Sequence, residues 1–319
     1  MSKSIFEAAH FNDAEAARVL IEGIRWPNGP VCGHCGETVR RYATNRPGRW
    51  RCGNPACKKD YTVTTGMVME SSHVPLHKWL MAFHLAASSK KGFSAHQLHR
   101  TLKITYKSAW FMHHRVMEAM RTGGLDLPPM GGAGQIVEAD ETYFGPVEDR
   151  QPSKTRGKRP FTKGGKVGVG GKRAIVSLVE RGGKVRSFHI PRADKATVAK
   201  IVADNISHES RLHTDESRLY TGADQMFATH ETVNHSRKEY ARGDVNTNSA
   251  EGYFSIFKRG MRGVYQHCDE KHLHRYLAEF DFRYNHRAAL GFCDEARTIA
   301  AIKGAEGKRL TYRISDEVH

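Results

Sequence analysis

Apolar positions along the chain follow two rhythms, and the change falls at a Gly/Pro-rich stretch. Residues 1–22 carry apolar residues at helical spacing and read as one short amphipathic helix. Trp26-Pro27 opens a loop-rich segment that runs to about Ser72. From Val74 to Arg121 the helical period returns, with long stretches free of Gly and Pro. This segment divides at Lys91-Gly92 into "FSAHQLHRTL", a turn "KITY", and "KSAWFMHHRVMEAM". Two short helices around a tight turn suit a helix-turn-helix. Lys103, Lys107, His113, His114 and Arg115 are its candidate DNA contacts, and a plain helical bundle is the alternative. "TGGLDLPPMGGAG", Thr122 to Gly134, reads as a linker.

Beyond the linker, short β-rich runs alternate with helices. Strands are expected near 135–143, 173–180 and 184–190, the last two closed into a hairpin by Arg181-Gly182-Gly183. A helix follows at about 194–206, then a strand near 210–214, a short helix near 216–223 and a strand near 230–235. Helices at about 247–260 and 270–286 close the segment. In the first of them, "NTNSAEGYFSIFKRG", Ser249 reads as the cap and Tyr253, Phe254, Ile256 and Phe257 as the anchor. The order of elements predicts an α/β, RNase H-like mixed sheet, preceded by the loop-rich and helical segments.

Charge narrows the partner. Lys and Arg number 50 against 34 acids, a net +16 with pI near 9.7, which favours a polyanion such as nucleic acid. The stretch Arg150 to Arg173 holds nine basic residues, six glycines and no acid, and reads as a mobile loop able to grip DNA. No run approaches 18 apolar residues, so no membrane span is expected, and the N-terminus lacks a secretory signal core. A cytoplasmic, nucleoid-associated protein is the expectation.

Four of six cysteines precede residue 60, as Cys32/Cys35 and Cys52/Cys57 with 16 residues between the pairs. Paired thiolates on short turns match the four ligands of a tetrahedral zinc, so a zinc ribbon with one structural Zn²⁺ is expected. Arg40, Arg41, Arg46, Arg49 and Arg51 surround it as candidate phosphate contacts.

Three acids stand at the ends of predicted elements. Asp140 lies in "VEADETYFG", Asp215 in "RLHTDE", and Glu251 follows Asp215 after 35 intervening residues. In an RNase H-like sheet the first and fourth strands are neighbours, and the helix after the fifth lies over their ends. The three carboxylates then meet and suit two Mg²⁺ (or Mn²⁺) ions acting on a phosphodiester. Asn248, one turn before Glu251, and Lys258, two turns after it, share its helix face. Strand alternation turns Glu141 away from Asp140, whereas Glu138 shares its face and competes for the role.

In combination, "CGHCG", "RCGNPACKKDYTVTTG", "VEADETYFG", "HTDESRLY", "NTNSAEGYFSIFKRGMRGVY" and "HLHRYLAEFDFRYNHR" make the chain similar to the bacterial transposases of the insertion sequence 1595 family. The resemblance covers roughly residues 15 to 290. It implies a zinc ribbon and a DDE-type catalytic domain that cleaves the terminal inverted repeats of an insertion sequence and transfers the strands into target DNA. It matches Asp140, Asp215 and Glu251 to the catalytic acids, Asn248 and Lys258 to their polar neighbours, and implies a homo-oligomer at synapsis. A catalytically inactive or domesticated DNA-binding protein of the same fold is the rival reading. The second cysteine pair departs from the usual C-x2-C, and Gly66-Met67 replaces an expected Gly-Thr. The expected domains are 1–25, an N-terminal helix; 26–72, the ribbon; 73–124, the helix-turn-helix-like segment; 133–290, the catalytic domain; and 291–319, a tail.

Overall fold

The computed structural model describes residues 4–122, 127–146, 171–237, 239 and 241–311. The basic stretch expected to grip DNA therefore lies outside the described residues from Arg150 up to residue 170. The chain forms two compact units, Met1–Thr122 with His286–His319, and Gly123–Asn285.

The single helix expected over residues 1–22 is broken. α1 (Ala9–Asn12) ends at Asp13, whose carboxylate accepts from the Ala16 amide and caps α2 (Ala14–Arg25). A capping aspartate satisfies an orphan amide and restarts the helix in a new direction. β1 (Arg41–Ala43), β2 (Arg49–Cys52) and β3 (Asp60–Thr62) form an antiparallel three-stranded sheet.

α3 (Leu76–Ser88) is followed by α4 (Ala95–Leu102) and α5 (Tyr106–Met120), capped by Ser94 and Thr105 respectively. Lys103, left-handed at φ 49°, makes the tight turn between α4 and α5. The expected DNA-facing role of α5 needs correction. His113 and His114 are buried, and Arg115 donates to the carbonyls of Glu70 and Leu310. From Ala109 onward α5 is a core helix, and of the five candidate contacts only Lys103 and Lys107 are exposed.

The second unit opens with β4 (Ile136–Pro146), β5 (Lys172–Glu180) and β6 (Val185–Ile190). α6 (Lys195–Asn205), β7 (Arg211–Asp215) and β8 (Thr229–Val233) follow, then α7 (Asn248–Gly260) and α8 (Leu273–Asn285). The short helix expected near 216–223 is two 3-10 turns, Arg218–Tyr220 and Ala223–Gln225. The sheet order is β6-β5-β4-β7-β8; β4 runs antiparallel to β5 and parallel to β7, and β7 parallel to β8. This is an RNase H-like mixed sheet.

Alternation along β4 sorts its side chains between two layers. Val137 and Ala139 join Val198 and Val202 of α6 in one buried cluster. On the opposite face Phe144 meets Phe257 of α7 edge-on at 5.5 Å, and Phe257 meets Phe280 of α8 at 5.3 Å. Asp140 belongs to this second, α7 face.

Residues 291–311, the described part of the expected tail, are packed rather than loose. They include α9 (Asp294–Lys303), which packs within the first unit: Thr298 and His84 of α3 are hydrogen-bonded at 3.0 Å. Lys308 then donates to the carbonyls of Glu118 and Ala119, at 3.1 Å each, at the C-terminal end of α5. A cation there sits favourably at the negative end of the helix.

Candidate active site

The parallel register pairs Glu138 of β4 with His213 of β7. The paired register ends there, and Asp140 and Asp215 each lie two residues beyond that last pair on the two neighbouring strands. Asp215 ends its strand, and its carboxylate accepts from the Ser217 amide at 3.0 Å. Asp140 accepts from the Glu141 amide at 2.8 Å. Glu251 stands in the first turn of α7, half-exposed, with its Oε1 3.5 Å from His235 Nε2.

Burial and neighbouring charges act on these acids together. The Asp140 carboxyl is pushed up to about 7, first by burial and then by the charges of Asp215, Glu141 and Glu251. Asp215 is also raised, mainly by burial, with Glu216 adding to the rise and His235 opposing it. Lys258 is lowered by burial and by Arg262 and Lys172, while Asp140 pulls it the other way. Asp140 thus feels the charges of Asp215 and Glu251, and Lys258 feels those of Asp140, Arg262 and Lys172. Asn248, exposed, opens α7 one turn before Glu251; its amide donates to the Asn246 side chain at 3.2 Å.

The neighbouring acids are engaged elsewhere. Glu141, on the opposite face, accepts from Ser217 Oγ and Tyr220 OH, at 3.0 Å each. Glu216 accepts from the His235 and Ser236 amides and Ser236 Oγ, which lowers it to about 2. Glu138 is fully buried and accepts from the Ser249 and Ala250 amides, at 2.8 and 3.0 Å. It takes over the capping expected of Ser249, whose hydroxyl itself donates to Glu138 at 3.0 Å. His235 escaped the sequence reading. No spacing marks it, because the irregular turn His235–Arg237 brings it to Glu251.

In the first unit, Cys32, Cys35, Cys52 and Cys57 place their sulfurs within 4.8 Å of one another, with Cys32–Cys57 at 3.9 Å and Cys35–Cys52 at 3.6 Å. A tetrahedron with Zn–S bonds near 2.3 Å has edges of about 3.8 Å. The four thiols therefore fit one zinc, C-x4-C pair included. Among the described residues they are the one group of His, Cys, Asp and Glu ligands that meets this spacing. The three acids are spread more widely. Their hard oxygens are of the kind that would hold divalent ions such as Mg²⁺.

A four-cysteine ribbon and an RNase H-like sheet of this order are the parts from which DDE-type transposases are built. Residues 132–285 match the ISXO2-like transposase domain and residues 12–60 the transposase zinc-ribbon domain. A protein of the transposable element ISH50 from Halobacterium salinarum is 32% identical over 286 residues, covering 85% of this chain and 90% of that one. A transposase-like protein of Haemophilus influenzae is 26% identical over 102 residues, 32% of this chain and 81% of that one. The chain belongs to the IS1595 family of transposases. Among solved structures, the Mos1 strand transfer complex aligns at 11% identity over 65% of this chain and 76% of that one, with a TM-score of 0.22.

Proposed function

We propose that the protein cleaves the ends of an insertion sequence and transfers the strands into target DNA, with Asp140, Asp215 and Glu251 as the acids that hold the metal ions. The observation that carries this reading is the placement of Asp140 and Asp215 on neighbouring strands, with Glu251 in the first turn of the helix that packs on β4's Asp140 face; burial, and then the charges of Asp215, Glu141 and Glu251, push Asp140 up to about 7. Held by Asp140, Asp215 and Glu251, two Mg²⁺ or Mn²⁺ ions would activate a water or 3′-hydroxyl and stabilise the leaving oxygen. The chain's own side chains do the rest. Lys258, next to Asp140 and followed by Arg262, neutralises the phosphate that the acids would otherwise repel. Asn248, on Glu251's face, offers an uncharged donor to the same backbone.

DNA is the partner, as terminal inverted repeats and as target. Net charge +16 and the exposed Arg40, Arg46 and Arg51 of the ribbon support a phosphate-binding role there. The exposed Lys103 and Lys107, at the α4–α5 turn, support a second contact. Two copies acting at synapsis, one for each DNA end, complete the reading. Paired reduced cysteines suit a cytoplasmic, nucleoid-associated setting. Among the described residues, no helix is long and apolar enough to cross a membrane.

The reading is tested by incubating purified protein with labelled element ends, target DNA and Mg²⁺. Strand-transfer products are expected from wild type and not from Asp215→Ala, Asp140→Ala or Glu251→Ala. Equal product from Asp215→Ala would refute the assignment.

A further inference from the structure

We propose that Glu138 is a positioning residue which, with Arg181, fixes the start of α7 and so sets Glu251 and Asn248 against Asp140 and Asp215. The inference rests on the reading of the site given above and deepens it.

α7 lacks a side-chain cap of its own: Thr247 stands at its N-cap without such a hydrogen bond. The first amides of a helix have no partner within it. Here the Ser249 and Ala250 amides donate to Glu138 Oε2, and Ser249 Oγ donates to Oε1. Arg181 completes the arrangement, its Nε and Nη2 donating to Glu138 Oε1 at 2.9 and 2.7 Å. A fully buried carboxylate is costly unless paired and fully hydrogen-bonded, and Glu138 meets both conditions. Its charge also faces the positive end of the helix.

The placement matters as much as the bonding. Glu138 lies two residues before Asp140 on one face of one strand, so strand and helix are joined immediately beside the acids. Arg181 extends the clamp by donating to the carbonyls of Asp244 and Asn246 and to the Asn246 side chain, at 2.7, 3.0 and 3.1 Å. Arg211, at the start of Asp215's strand, pairs with the Asp244 carboxylate at 2.7 Å. Both acid-bearing strands therefore hold the segment that leads into α7. A glutamine at this position loses the charge and turns an amide donor towards amides that also donate.

The test measures Mn²⁺ binding to the full-length, zinc-loaded protein, by the electron paramagnetic resonance signal of free Mn²⁺, beside its thermal unfolding. Wild type is expected to bind, Asp215→Ala to lose binding, and Glu138→Gln to bind at least about 10-fold more weakly, the effect of losing a group that orients ligands. A folded Glu138→Gln protein that binds Mn²⁺ within about twofold of wild type overturns the inference while leaving the three acids in place. Should Glu138→Gln fail to fold, Ser249→Ala decides. It removes one donor and keeps the backbone, and about fivefold weaker binding is expected, unchanged binding being the contrary result. If Asp215→Ala binds as well as wild type, the reading of the site itself fails.

Discussion

Replacing Asp281 by asparagine exposes a pH dependence built into the second unit. Asp281, on α8, is buried and accepts from the Ser187 amide at 2.9 Å, from Ser187 Oγ at 2.7 Å and from Tyr253 OH. Tyr253 lies between Glu251 and Lys258 on α7, so this carboxylate ties α7, α8 and β6 together. Burial raises it to about 6 despite those three donors, against 3.8 as the ordinary value. The folded state then holds the proton more tightly than the unfolded one. Stability is therefore lost as pH rises through this window, with the full cost present above about pH 7. A shift of that size amounts to about 3 kcal/mol in total, of which about 2 kcal/mol falls between pH 4.5 and 7.5. The Asp281→Asn side chain cannot titrate, so the variant is spared that loss. All four tryptophans, Trp26, Trp50, Trp79 and Trp110, lie in the first unit, so their fluorescence does not report on this one. Hydrogen exchange of peptides spanning residues 185–190 and 273–285 does. Wild type is expected to lose about 2 kcal/mol of protection, relative to Asp281→Asn, between those pH values. A difference between the two proteins that does not change with pH would refute the reasoning.

Purified protein is expected to carry one zinc per chain by elemental analysis, and Cys52→Ser to lose it. Chelation should shift tryptophan emission to the red, because buried Trp26 packs edge-on against buried Tyr61 beside the ribbon, at 6.0 Å. Gly304→Ala should destabilise the first unit by about 1–3 kcal/mol, read by tryptophan fluorescence in urea, because the new Cβ would stand 2.4 Å from the Ala119 carbonyl oxygen.

Much of the second unit was legible because its apolar pattern switches cleanly between strand and helix periods. The expected strand at 135–143 and helix at 247–260 differ from β4 and α7 only at their ends. The same alternation separated Glu141 from Asp140, but it could not separate Glu138, which shares Asp140's face. What distinguishes Glu138 is depth: two residues further into the sheet it meets helix amides, and period alone carries no depth. The first unit was less legible for a related reason. His113, His114 and Arg115 look polar in sequence, yet Arg115 reaches backbone carbonyls of Glu70 and Leu310, far away along the chain. α9, ten residues long, has too few turns to announce a packed face, and only its packing against α2, α3 and α5 makes it part of a core. His235 arrives at Glu251 through an irregular turn, which leaves no periodic trace.

The central claim is that Asp140, Asp215 and Glu251 act as one metal-dependent centre on DNA. The most direct measurement is strand transfer of labelled element ends by wild type and the three single alanine variants, in Mg²⁺ and in its absence. The account predicts product only from wild type with the ion, with each variant retaining DNA binding and zinc. Product from any one alanine variant at the wild-type rate would contradict it.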